Sequence, residues 1–244
     1  MTDYSFWFLL FLFCVAALYS SVGHGGASGY LALMAAYGFS PLITKPSALL
    51  LNIIVSLIAF ILFFRQKFFR WSIFIPLALA SVPAAFAGGA CTIDTMLYKK
   101  ILALLLLFPI IRFTGIIPER DAATRQAPVY LLLILGALIG FLSGLIGIGG
   151  GIILAPMLLL FRWADLKETA ALSALFIFVN SISGMIPQFI HGIQYTSDIY
   201  LFAGVAALGG IAGAFFGSKK LNVIWLKRVL ALVLVVASVK LFFT

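Results

Sequence analysis

Apolar residues lie along this chain in long stretches separated by short polar clusters. A helix that crosses a bilayer needs about 20 mostly apolar residues. Such runs fall at roughly 4–22, 46–64, 71–90, 97–114, 128–146, 169–190, 197–217 and 224–243. Two shorter apolar stretches, 27–39 and 151–161, each follow a glycine cluster. At 1.5 Å per residue they reach about half to two-thirds of the hydrocarbon thickness. Pro46 reads as a helix start and Pro187 as a kink. The longest polar connection, 115–127, falls near the middle and divides the chain into a first repeat, 1–114, a linker, and a second repeat, 128–244.

The two parts resemble each other. Gly23-His24-Gly25-Gly26 matches Gly147-Ile148-Gly149-Gly150 at an offset of 124. After each cluster come a short apolar stretch and a polar turn, Ser40 to Lys45 or Arg162 to Glu168. A helix then opens with Ser47 or Ser173 and carries Asn52 or Asn180. Both third helices are rich in small residues, and both fourth helices follow a basic pair, Lys99-Lys100 or Lys227-Arg228.

Charge sets the topology. If each glycine cluster is the tip of a hairpin, twelve basic residues share one side: Arg65, Lys67, Arg70, Arg112, Arg120, Arg125, Arg162, Lys167, Lys219, Lys220, Lys227 and Arg228. Only the 4 others, Lys45, Lys99, Lys100 and Lys240, lie opposite. Plain crossings without hairpins give 9 against 7. The positive-inside rule favours the hairpins, although a re-entrant and a fully crossing hairpin have the same parity. Both termini are then outside and the linker is cytoplasmic. The second repeat starts on the opposite side from the first, so the expected fold is an all-α polytopic membrane protein. It has two inverted-topology repeats, each a broken-helix hairpin plus three transmembrane helices.

Composition agrees. Of 244 residues, 64% are hydrophobic and 9% charged, against about a quarter charged in soluble domains. The net charge of +9 comes from Lys and Arg flanking apolar runs, as at membrane edges, so no nucleic-acid partner is expected. Cys14 and Cys91 show no metal or redox spacing. No basic n-region precedes the first run, which reads as a retained helix.

The glycine clusters carry the candidate chemistry. Non-helical backbone at membrane depth is tolerated only inside protein or beside a wet cavity. Gly25-Gly26 and Gly149-Gly150-Gly151 would break the helix there and leave free amides at the start of each short helix. With the helix dipole, those N–H groups favour an anion. Two breaks related by inverted symmetry would aim both helix N-termini at one midplane point. Close helix packing is the alternative role for such glycines, and it is the one expected for Gly136, Gly140 and Gly144 and for Gly209, Gly213 and Gly217. The clusters follow helices rather than strands, so they do not form a dinucleotide site.

His24 could hydrogen-bond a substrate oxygen or carry a proton, or simply bond a nearby carbonyl; its counterpart is Ile148. Ser28, Ser47, Asn52, Ser173, Asn180 and Gln188 either line the pathway or make interhelical hydrogen bonds. His191 falls at a helix end, in water. Asp3, Asp94, Glu119, Asp121, Asp165, Glu168 and Asp198 all avoid the middle of a span, so a carried cation would lack the buried carboxylate that such transport usually uses.

The glycine cluster and short helix, seen best as Gly147-Ile148-Gly149-Gly150-Gly151 followed by Leu154-Ala155-Pro156, resemble the sulfite exporter TauE/SafE family over nearly the whole chain. The first half departs from the pattern with His24 in the cluster and Ala32 in place of Pro156. The resemblance implies a transporter in the inner membrane moving small sulfur-containing anions such as sulfite, thiosulfate or sulfonates, often outward. The expected site is Gly25, Gly26, Ser28, Ser47, Asn52, Gly149, Gly150, Gly151, Ser173 and Asn180, with His24. The expected partners are a small anionic solute and the lipid bilayer, with no cofactor; assembly into a homo-oligomer is left open. An anion channel would share the site without the alternating motion. A membrane-embedded enzyme would need a nucleophile–base pair or metal cluster that the sequence does not offer.

Overall fold

The computed structural model describes residues 6–113, 124–190, 192–193, 195–218, 235 and 239. Among them are nine helices and no strand: α1 Phe6–Ser21, α2 Ala27–Ala36, α3 Pro41–Phe64, α4 Trp71–Ala90, α5 Thr95–Phe113, α6 Val129–Ile146, α7 Gly151–Leu160, α8 Leu166–Ile190 and α9 Ile199–Ser218. The expected last run at 224–243, all but its residues 235 and 239, lies outside the described residues, as do most of the linker 115–127 and His191. Helices α3, α4, α6, α8 and α9 are each long and apolar enough to cross a bilayer. The chain is an all-helical, multi-pass integral membrane protein.

Two helix starts differ from the sequence expectation. α3 begins at Pro41 rather than Pro46, because Ser40 is extended (φ −69, ψ 151) and proline is at home in a first helical turn. Pro46 therefore lies inside α3. α8 begins at Leu166, where Asp165 and Glu168 form a reciprocal cap: Glu168 N donates to Asp165 Oδ1 (2.8 Å), and Asp165 N donates to Glu168 Oε2 (3.0 Å). Ser47 and Ser173 consequently sit more than a turn inside their helices rather than opening them.

Polarity is turned inside out relative to a soluble protein. Ser47, Asn52, Ser56, Ser173, Asn180 and Ser181 are fully buried. Leu79, Leu138 and Leu208 are each at least 60% exposed, facing the lipid. Without a hydrophobic force between helices, close packing and buried hydrogen bonds hold such a bundle together.

Glycine seams report the chain direction. A Cβ placed on Gly136, Gly140 or Gly144 of α6 would fall on the carbonyl oxygen of Leu77, Ser81 or Ala85 of α4. On Gly209, Gly213 and Gly217 of α9 it would fall on the carbonyls of Phe13, Ala17 and Ser21 of α1. In both seams the numbers rise together, so the partners run parallel. Gly210 also faces Val55, and Ala214 clusters with Ala59, so α9 runs parallel to α3 as well. α1 and α3 therefore run in the same direction, which requires the chain to turn back between them. That return is α2. Against α8, α3 pairs Asn52 with Ser181, Ala59 with Ala174 and Phe63 with Ala170, numbers that rise on one helix as they fall on the other. Helices α3 and α8, which hold equivalent places in the two halves, are thus antiparallel.

Helices α2 and α7 have 10 residues each, about 15 Å or half the hydrocarbon core. Ala27 to Met34, Gly151 to Pro156, and Leu158 are all buried. The breaks lie within protein, where non-helical backbone is tolerated.

Candidate functional site

Each break is built by left-handed glycines. Gly26 (φ 98) and Gly150 (φ 78) are the N-caps of α2 and α7, and Gly23, Gly147 and Gly149 also have positive φ. L-residues pay about 1–2 kcal/mol to adopt this conformation. A glycine N-cap has no side chain to receive the first-turn amides.

The two breaks meet at the crossing of α3 and α8. A Cβ on Gly25 would strike Asn52 and Ile177, and one on Gly149 would strike Asn52, Ile177 and Ser181. Asn52 ties the site together. Its Oδ1 accepts the Ala27 N–H at the start of α2 (2.9 Å), and its Nδ2 reaches Ser181 Oγ at 3.4 Å. Beside it is a pocket of about 10 Å³, lined by Tyr19, His24, the Gly25–Ser28 backbone and side chains, Ile148, Ile152 and Ile177. That is room for about one water. Tyr19 and Ser28 share a hydroxyl hydrogen bond of 2.7 Å, and His24, only 2% exposed, has Nδ1 at 2.9 Å from the Val22 carbonyl. The Tyr30 ring folds back over Gly26, and its fully buried hydroxyl has no hydrogen-bond partner among the described residues.

The structure therefore gathers His24, Gly25, Gly26, Ser28, Asn52 and Gly149 at one point. Gly151 packs against Ile177 and the Ser173 carbonyl, and Gly150 against Ile139, Phe176 and Ser143. Ser47 and Asn180 are buried but do not line the pocket. Asn180 Nδ2 donates to the Phe176 carbonyl of its own helix at 2.8 Å.

Sequence reasoning missed Tyr19, Tyr30, Ile177 and Ser181. The breaks themselves supply the signal for the last two. Gly23 faces Ala170 while Gly147 faces Lys45, and Gly25 and Gly149 both face Asn52 and Ile177. Exchanging the halves thus takes Lys45 to Ala170 and Asn52 to Ile177, each 125 residues on. The structural counterpart of Asn52 is Ile177 rather than Asn180, and Ser181 is matched by Ser56.

Comparison with known proteins bears on this arrangement. The family model for the sulfite exporter TauE/SafE matches residues 8–241. A "Probable membrane transporter protein" of Sinorhizobium fredii, y4hK, is 35% identical over 233 residues, 94% of either chain. MJ0441 of Methanocaldococcus jannaschii, with the same description, is 27% identical over 54% of this chain and 53% of its own. YunE of Bacillus subtilis, also so described, is 36% identical over 33% of this chain and 27% of its own. No solved structure matches. With the model spanning both halves and both glycine breaks, the chain belongs to the sulfite exporter TauE/SafE family.

Proposed function

We propose that this protein is a secondary transporter of small anions, of the sulfite, thiosulfate and sulfonate class, working by alternating access in the cell's inner membrane. One observation carries the reading: two helix breaks from separate halves abut the same pair of residues, Asn52 and Ile177. Their amides and dipole ends supply partial positive charge without a fixed cation. Gly25, Gly26, Ser28, Asn52 and Gly149 form the anion site, with His24 at its edge, and the halves are inverted repeats that rock about it. The antiparallel pairing of α3 with α8 supports that inversion. The family description supports sulfite and its relatives as the solute, and the name of the Sinorhizobium fredii relative supports membrane transport.

An anion channel would share this site without the alternating motion, and single-channel current would distinguish it from a carrier. Both termini face outside. An inside-negative potential drives an anion outward by about 2.3 kcal/mol per charge per 100 mV, so export needs no coupled ion.

The test is flux of labelled sulfite, thiosulfate and methanesulfonate in proteoliposomes, with intact protein beside Gly25→Val, whose side chain would enter the Asn52 contact. Saturable flux in the intact protein, lost in a folded variant, supports the site. A folded intact protein that carries none of the three refutes the anion reading.

A further inference from the structure

The pocket sits between two related halves, yet its walls are chemically opposite. Stepping 124 residues from the first break to the second replaces His24 with Ile148 and Ser28 with Ile152, and all four residues line the pocket. The structural exchange of Asn52, which abuts the pocket, for Ile177 extends the pattern: His24, Ser28 and Asn52 of the first half each have an isoleucine in the equivalent place of the second, while Tyr19 has Ser143, which is not among the lining residues. Behind this wall the Tyr30 ring folds over Gly26, and its hydroxyl has no hydrogen-bond partner among the described residues; the second half has Leu154 in that place. Ile148, Ile152 and Ile177 are at most 4% exposed, so this apolar wall is part of the interior rather than lipid-facing surface.

We infer that the site takes an organic anion in a single orientation, with its oxyanion head on the first break and an apolar body against Ile148, Ile152 and Ile177. The inference rests on the anion reading above and narrows it. An inorganic oxyanion such as sulfite or sulfate carries hydrated oxygens over most of its surface. Seated here, it would turn some of them toward three isoleucines and lose water without a replacement hydrogen bond. A short alkanesulfonate presents one charged end to the amides and hydroxyls and buries its carbons against the isoleucines. Each buried methylene is worth about fourfold in affinity. Ile148, Ile152 and Ile177 are then the specificity-determining residues. The pocket has room for about one water, so a larger ligand needs the halves to move apart.

The experiment measures kcat/KM for sulfite, sulfate, methanesulfonate and ethanesulfonate in proteoliposomes, with intact protein and with Ile152→Ser, which places the serine of the first break in the second. In the intact protein, ethanesulfonate is expected to exceed methanesulfonate about fourfold and both inorganic anions about tenfold or more. Ile152→Ser should shift the sulfite-to-ethanesulfonate ratio about tenfold toward sulfite. The series in intact protein decides the matter even where the variant does not fold. Sulfite carried as well as ethanesulfonate overturns the inference and leaves the anion reading standing. A folded Ile152→Ser that lowers all four by one factor overturns it likewise. No flux of any of the four refutes the anion reading, and this inference falls with it.

Discussion

Asn52→Asp is the sharpest perturbation this site allows, because it alters charge while nearly preserving shape. The Oδ1 that accepts the Ala27 amide at 2.9 Å remains. As a carboxylate at a helix N-terminus it gains about 0.3–1 kcal/mol. The long Nδ2 contact to Ser181 at 3.4 Å is lost, but the serine hydroxyl can turn and donate to the new oxygen. Asn52 is fully buried, so the new charge also gives up its hydration, and the variant should lose about 1–3 kcal/mol of stability. Transport should not survive. An anion about 6 Å from the new charge is repelled by about 3 kcal/mol at an effective dielectric constant near 20, which is about a hundredfold in affinity. Asn52→Leu is the complement: it orphans the buried Ala27 amide, at a cost of about 1–3 kcal/mol in stability. Asn180→Leu removes only a bond to its own helix and a carbonyl oxygen that has no partner among the described residues, so flux should stay near that of intact protein. The assay pairs thermal unfolding in detergent with uptake of labelled ethanesulfonate and sulfite. A folded Asn52→Asp with undiminished anion flux would refute the placement of the site. So would the reverse ranking, with Asn180→Leu inactive and Asn52→Asp active.

Two further outcomes test the scaffold and its orientation. Gly140→Leu drives a side chain into the Ser81 carbonyl of α4 and should cost more than the roughly 1–3 kcal/mol of ordinary overpacking. Gly204→Ala, in α9 with nothing within 4 Å of its new methyl, should instead add about 0.8–1 kcal/mol. Thermal unfolding in detergent reads both, and equal effects would mean the seams are not backbone contacts. Cys91 is exposed at the end of α4 and falls outside in the proposed topology. A membrane-impermeant maleimide should label it in intact cells, and labelling only after permeabilisation would invert the orientation.

Much of the bundle was legible because a bilayer leaves few options: long apolar runs must be helices. The runs at 71–90 and 128–146 match α4 and α6 to within a residue. Start points were harder. Ser40-Pro41 and the Asp165–Glu168 cap are local signals that polar turns conceal, since the same residues serve equally well in a loop. The glycine breaks were readable as helix breaks because positive φ is costly for any other residue. What they touch was not. Matching the halves by residue type paired Asn52 with Asn180, but equivalence in a helix is a matter of angle. At 100° per residue, a three-residue shift turns a side chain about 60° off its seam. Asn180 lies three residues beyond Ile177 and bonds the carbonyl of Phe176. Ser181, four beyond, returns to within about 40° of the same face and meets Asn52.

The two halves meet through the same kind of contact in both seams, and they differ in polarity where they meet the pocket. The seams of α6 on α4 and α9 on α1 each set three glycines of the second half, at four-residue spacing, against backbone carbonyls of the first. Backbone contact of this kind leaves no room for a side chain on the glycine helix, so packing fixes those positions. A ligand on an approximate two-fold axis faces the opposite condition. It can satisfy identical walls only if it is itself two-fold symmetric, and an ion with one charged head is not. Polar groups duplicated on both walls would leave one set desolvated and unpaired whenever such a ligand sat on the other. Isoleucine at 148, 152 and 177 would remove that penalty, so on the proposed reading the difference between the walls answers the shape of the solute rather than the needs of the fold.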